Sequence, residues 1–140
     1  FINNAIHPGE PEGVDASMAL ARDLAAAVPT DTALTRLLAR AVICIVPMYN
    51  IDGALQRGRS RVNQNGPAAY GFRGNARNLD LNRDFIKPDA ANTRALVDLL
   101  TAWDPDVFLD NHTTNGADYP AVMTLIATAR AKLAPALRAY

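Results

Sequence analysis

The alternation of apolar and polar positions divides this chain into short extended runs and longer helical ones. Phe1 to Ile6 is an apolar-rich run that stops at Pro8-Gly9, as the end of a strand does. From Val14 to Val28, the residues Val14, Met18, Ala21, Leu24 and Val28 recur at helical spacing among many alanines, which predicts a helix. Asp31 or Thr32 is placed to cap a second, short helix carrying Leu34, Leu37 and Leu38. The stretch "AVICIVPMY" is a continuous β-branched run ended by a proline, the pattern of a strand buried on both faces.

Between Asn50 and Asn78 the pattern changes. The segment is rich in Gly, Asn, Gln and Arg, has little periodicity, and predicts a long irregular region of the kind that is functional when ordered. Beyond it, "KPDAANTRALVDLLTAWD" predicts a helix with Pro88 near its start and one apolar stripe of Leu96, Leu99, Leu100 and Trp103. After the Asp104-Pro105 break, "DVFLDNH" reads as a short strand, "AVMTLIA" as another, and Ala131 to Tyr140 as the beginning of a helix. Strands alternating with helices imply an α/β layered domain.

Composition narrows the classes of function. In 140 residues, 49% are apolar, which is enough for one modest domain with a core. Lys+Arg and Asp+Glu each number 14, so bulk charge gives no reason to expect a nucleic-acid or membrane-surface partner. "RGRSR" (Arg57, Arg59, Arg61) is a local basic run without interleaved aromatics, and it ranks low as a nucleic-acid patch. The longest apolar run, Ala41 to Met48, is too short to span a bilayer, and no signal peptide is evident. Cys44 is the only cysteine and lies in that run, so it reads as a small buried thiol that says nothing about compartment. The chain begins at Phe1 inside a strand-like run, which leads us to expect a piece of something longer.

Chemistry concentrates in a few positions. The two histidines, His7 and His112, each stand at the end of a predicted strand, where functional side chains gather in an α/β sheet. Glu10 follows His7 across a Pro-Gly bend that can swing it back beside the imidazole. Two His and one Glu form a ligand set used by catalytic zinc. A turn residue facing water, for His7, and a satisfied histidine near the core, for His112, are the plain alternatives. The second cluster, "FRGNARNLDLNRDF", alternates Leu79 and Leu81 with Asp80 and Asn82, as a short extended stretch with one wet face would. Arg83 and Asn82 can grip an anion there, with Arg73 and Arg77 adding charge, or the cluster can be a solvated ion-pair network.

His7-x-x-Glu10, then "GNARNLDLNRDF", then a strand ending at His112 in "NHTTNG" occur in the order of the zinc carboxypeptidases, and "VPMYNIDGA" is similar to that family's strand and Asn-x-Asp-Gly loop. The resemblance covers the chain to about Gly116. It implies a three-layer α/β/α fold with a mixed, mostly parallel twisted sheet, one zinc ion, and hydrolysis of an amide bond beside a free C-terminal carboxylate. His7, Glu10 and His112 match the zinc ligands, and Asn82 and Arg83 match the pair that binds the terminal carboxylate. Arg73, with Arg77 as the fallback, matches the arginine that polarises the scissile carbonyl. Asp80 resembles the carboxylate that orients the first histidine, and Thr113 would lend backbone contacts to substrate.

The departures are as informative. No Glu follows His112, Glu12 lies beside the metal loop, and Tyr119 and Tyr140 match no motif position, so the general-base glutamate of the resemblance is missing. The expectation is that residues 1–140 are a partial catalytic domain lacking its C-terminal part and inactive alone. Asp84 stands where many members have Asn, which would put a negative charge near the carboxylate site. Two alternatives share these motifs: an N-acyl amino acid deacylase resembling succinylglutamate desuccinylase and aspartoacylase, and a non-catalytic relative that holds zinc or a carboxylate. The expected partner is thus a peptide or acylated amino acid with a free carboxylate.

Overall fold

The structure, a computed structural model, describes residues 1–27, 30–58, 68–113 and 119–138. Its centre is a parallel sheet in the order β2-β1-β5, with β1 (Ile2–Asn4) between β2 (Ile45–Val46) and β5 (Leu109–Asn111). The register sets Ile2 beside Ile45 and Leu109, Asn3 beside Val46 and Asp110, and Asn4 beside Asn111. Helices α1 (Glu12–Ala27) and α2 (Thr32–Leu38) connect β1 to β2. Asp31 caps α2, its carboxylate accepting from the N–H groups of Ala33 and Leu34. Helix α4 (Ala91–Trp103) leads into β5 and ends at Asp104, whose left-handed backbone (φ 42°) closes the helix before Pro105. This is the α/β architecture that the alternating pattern implies.

The buried apolar core is small. Ile6, Leu81 and Ala90 form its cluster, with Tyr49 and Leu79 packed against it, and Ala5 and Leu96 are also buried. Ile6 precedes His7, and Leu81 lies between Asp80 and Asn82, so the core sits directly under the candidate chemistry. Helix α1 meets the sheet at its first turn: a Cβ on Gly13 would lie 2.7 Å from Asn4 Oδ1 and 2.8 Å from Asn111 Cβ. Only a glycine lets the helix approach that closely. Farther along α1 the contact opens, and Met18 is 63% exposed while Ser17 is buried.

Several elements differ from the sequence expectations. "AVICIVPMY" forms only the two-residue strand β2, and none of Ala41 to Val46 is fully buried; Val42 is 78% exposed. Its hydrogen-bonded neighbour among the described residues is β1 alone, which makes it an edge strand, and Cys44 there is half-buried. "AVMTLIA" forms no strand among the described residues and is exposed, Ile126 at 98%. The expected last helix is replaced by two 3₁₀ turns, Arg130–Lys132 and Pro135–Leu137, with Tyr140 outside the described residues.

In its described residues, the region from Asn50 to Asn78 holds more regular structure than its composition implies. It holds α3 (Ile51–Leu55), capped by Asn50, and an antiparallel ladder of β3 (Arg57–Gly58) with β4 (Tyr70–Gly71). Arg57 Nη2 donates to the Ala69 carbonyl across that ladder, while Arg59 and Arg61 lie outside the described residues. Leu79 to Arg83 is not a plain extended stretch: Asp80 N-caps a 3₁₀ turn, Leu81–Arg83. On α4, Leu96 is buried, Leu99 and Leu100 are half-buried, and Trp103, the last residue of the expected stripe, is exposed.

A candidate His-Glu-His metal centre at the strand ends

Parallel pairing of β1 with β5 sends both strands out of the same edge of the sheet. His112 follows β5 directly, whereas β1 reaches His7 through Ala5, a buried residue in the left-handed region (φ 53°). That conformation costs an alanine roughly 1–2 kcal/mol, and it turns the chain so that Ile6 enters the core. The Pro8-Gly9 bend then closes with Glu10 N–H donating to the His7 carbonyl at 2.9 Å. Behind the bend, β4 packs so closely that a Cβ on Gly71 would run into Pro8.

The three residues converge. His7 Nδ1 lies 3.2 Å from Glu10 Oε1, His112 Nδ1 lies 3.0 Å from Glu10 Oε2, and the imidazole centroids are 5.0 Å apart. One donor atom from each falls within 4.8 Å of the others. The His-Glu separations are a little under the edge, about 3.4 Å, of a tetrahedron with metal–ligand bonds of about 2.1 Å. His7 and Glu10 are buried; the His112 side chain is 31% exposed, which leaves one open side.

Each imidazole turns its other nitrogen to an outer carboxylate. His7 Nε2 lies 3.3 Å from Asp80 Oδ1 and His112 Nε2 lies 2.9 Å from Asp110 Oδ2. An ionised carboxylate only accepts, so a ring whose Nδ1 turned to a metal would give its Nε2 hydrogen to that outer carboxylate. This is the tautomer a metal-binding histidine needs. The donor set, its spacing and the tautomers therefore fit zinc.

The electrostatics say the cluster is short of positive charge. Burial opposes ionisation of Glu10, yet hydrogen bonds from His112, His7 and the Thr113 N–H hold its carboxyl far below the ordinary range. Asp110 first, then Glu10, outweigh desolvation and push the His112 imidazole up to about 9. Partial burial also opposes ionisation of Asp80, but Arg73 foremost, with the Asn82 N–H and His7, holds it low. In the metal-free protein a proton on His112 thus stands where a cation would balance the surrounding carboxylates.

The remaining expected site residues fall around this centre. Arg73 donates from Nε to Asp80 Oδ2 at 2.7 Å, so Arg73, Asp80 and His7 form one chain of contacts. Asn82 Nδ2 lies 3.5 Å from His112 Nε2, and its N–H donates to Asp80. Arg83 is exposed beside it and donates from Nη1 to the Asn82 carbonyl. Thr113 gives its N–H to Glu10 Oε2. Arg77 is exposed, with its N–H held by Asn75.

Asp84 does not face the carboxylate site. It is buried beneath the start of α4, accepting from the N–H groups of Asp89 and Ala90 at 2.9 Å each. The neighbouring Thr93 hydroxyl foremost, with the Ala90 and Asp89 N–H groups, holds its carboxyl below the ordinary range. Asp110 is the residue that sequence reasoning missed. Its only signal was a position two before His112, the spacing that puts two strand residues on one face.

Comparison with known proteins agrees with this geometry. The family model for zinc carboxypeptidase matches residues 1–120, and the chain belongs to that family, whose metal is zinc. It is 30% identical over 112 residues to a protein named "Probable carboxypeptidase 2" of Arthroderma benhamiae, covering 80% of this chain and 18% of that one. "Carboxypeptidase 2" of Trichophyton tonsurans matches with the same identity and coverage. Among solved structures, a metallo-carboxypeptidase from Burkholderia cenocepacia superposes with a TM-score of 0.68 at 28% identity, over 84% of this chain and 29% of that one. The chain thus spans under a fifth of the curated relatives it matches and under a third of that structure.

Proposed function

We propose that this chain carries the zinc site and the carboxylate anchor of a metallocarboxypeptidase, an enzyme that removes residues from the free C-terminus of a peptide. The observation that carries the reading is the convergence of His7, Glu10 and His112 at two parallel strand ends, with Asn82 beside His112. His7, Glu10 and His112 would hold a zinc ion, which would supply Lewis acidity for attack of water on an amide carbonyl. Asn82 and Arg83 would bind the terminal carboxylate, the guanidinium fork by paired charge-assisted hydrogen bonds and the amide by a further one. That grip fixes which carbonyl lies over the metal site. Arg73, tied to Asp80 by one nitrogen, would offer the rest of its guanidinium to the developing oxyanion.

The proton acceptor is the missing part of this reading. Of the chain's two glutamates, Glu10 belongs to the cluster and Glu12 is exposed in the first turn of α1. We take the 140 residues as part of a catalytic domain whose general base comes from outside them. The test is zinc content and turnover in the full-length protein, assayed on peptides with free and amidated C-termini, muropeptides and N-acyl amino acids. Free C-termini should be cleaved and amidated ones spared, with Arg83→Ala lowering kcat/KM by about 10- to 100-fold, the worth of hydrogen bonds to a charged group, while zinc is retained. Unchanged affinity for C-terminal substrates in Arg83→Ala would overturn the carboxylate assignment. Preferred turnover of N-acyl amino acids would place the protein with the deacylases.

A further inference from the structure

Asp80 stands against His7 on one side of the centre, and a second carboxylate, Asp110, stands against His112 on the other. Asp110 lies one strand pair before the exit of β5, where the register sets it directly beside Asn3 of β1. Asn3 is fully buried and donates from Nδ2 to Asp110 Oδ1 at 2.9 Å; the other carboxylate oxygen meets His112 Nε2 at 2.9 Å. Asn3 makes this contact while its own Oδ1 stays buried without a hydrogen-bond partner among the described residues. An apolar side chain would suit that core position better on stability grounds alone.

We propose that Asp110 is a positioning residue for the metal centre: clamped by Asn3, it fixes the tautomer and orientation of His112 so that Nδ1 faces Glu10. The inference rests on the metal-site reading given above. It gives the centre a matching pair of supports. Arg73 holds Asp80, which holds His7; Asn3 holds Asp110, which holds His112. The two differ in what anchors the carboxylate. On the His7 side it is a half-exposed guanidinium from the irregular region, and on the His112 side a buried amide of the central strand. The β1–β5 register is therefore part of the site as well as of the sheet, since a slip would remove Asn3 from Asp110.

The experiment is a competition titration of the full-length protein with zinc against a chromophoric chelator, using wild type, His112→Ala, Asp110→Ala, Asp110→Asn and Asn3→Ala. Metal-free melting curves and visible spectra of the cobalt(II)-loaded proteins accompany it. Asp110→Ala should weaken zinc binding by about 10- to 100-fold, the usual effect of losing a histidine's outer partner. Asp110→Asn, which keeps an acceptor oxygen, should restore part of that loss, and Asn3→Ala should show a smaller loss in the same direction. The cobalt(II) band of Asp110→Ala should shift from wild type at saturation, and its zinc affinity should fall by more than its lowered metal-free melting temperature accounts for. Zinc affinities within about two-fold of wild type in both Asp110→Ala and Asn3→Ala would overturn the proposal and leave the metal site standing. So would losses of affinity that merely track a lowered metal-free melting temperature. A wild-type chain that binds zinc no better than His112→Ala would instead overturn the metal reading and the relay with it.

Discussion

His112 faces two carboxylates at once, Glu10 across Nδ1 and Asp110 across Nε2, and so it keeps its proton to about pH 9 when no metal is present. Replacing it by alanine removes a donor and should reduce zinc affinity well beyond the roughly 10- to 100-fold of an outer partner, as a chelator competition would read. Leu81 acts from below. It is fully buried between Asp80 and Asn82, and Leu81→Ala should cost about 2–5 kcal/mol in urea denaturation. Zinc binding should weaken with it, because the same turn positions Asp80. At this scale much was legible: His7, Glu10 and Asp80 lie in short motifs whose spacing survives folding, and His112 ends a recognisable strand. Asp110 was not, since a strand's alternation names its face and leaves its neighbour on the next strand unknown. Asp84 was misread for a related reason. Its sequence neighbours are site residues, while its hydrogen-bond partners are the backbone N–H groups of Asp89 and Ala90, the lead-in to α4 (Ala91–Trp103).

At the scale of elements, the start of α4 depends on that carboxylate. Asp84 has a depressed pKa in the folded protein, so the unfolded chain binds the proton more tightly. Its stabilisation is then fully present above the ordinary carboxylate pKa, about 3.9, and is lost as pH falls through the lower folded value. Urea denaturation between pH 3 and 7 should show Asp84→Asn less stable than wild type near neutrality, with a shallower loss on the acid side. Helix α2 was readable from its capping aspartate and α4 from the 3.6-residue spacing of its leucines, both local signals. The strands were harder. "AVICIVPMY" has the composition of a central strand but lies at a described edge, and "AVMTLIA" has strand composition with no described partner. β-propensity records a fit to neighbours that the sequence alone does not supply. The ladder of β3 with β4 was hidden for the opposite reason, since two paired residues on each side leave no periodicity to read.

For the molecule as a whole, the accessible surface is 10049 Å², against about 7,000 Å² expected for a closed monomer of 15.0 kDa. With so few apolar side chains fully buried, metal binding should weigh heavily in stability. Zinc at about 100 times its dissociation constant adds about 2.7 kcal/mol, so the melting temperature should rise with zinc and fall back on chelation. How that stabilisation divides between rates follows from the β1–β5 pairing. Glu10 and His112 are 102 positions apart, and Asn3 and Asp110 are 107 apart. Few contacts in a chain of this length demand a larger loop to be closed, and closing such loops is the slow part of folding. A metal whose ligands straddle that closure cannot act as an early template. Zinc should therefore leave the refolding rate nearly unchanged and slow unfolding, moving one arm of the chevron and not the other.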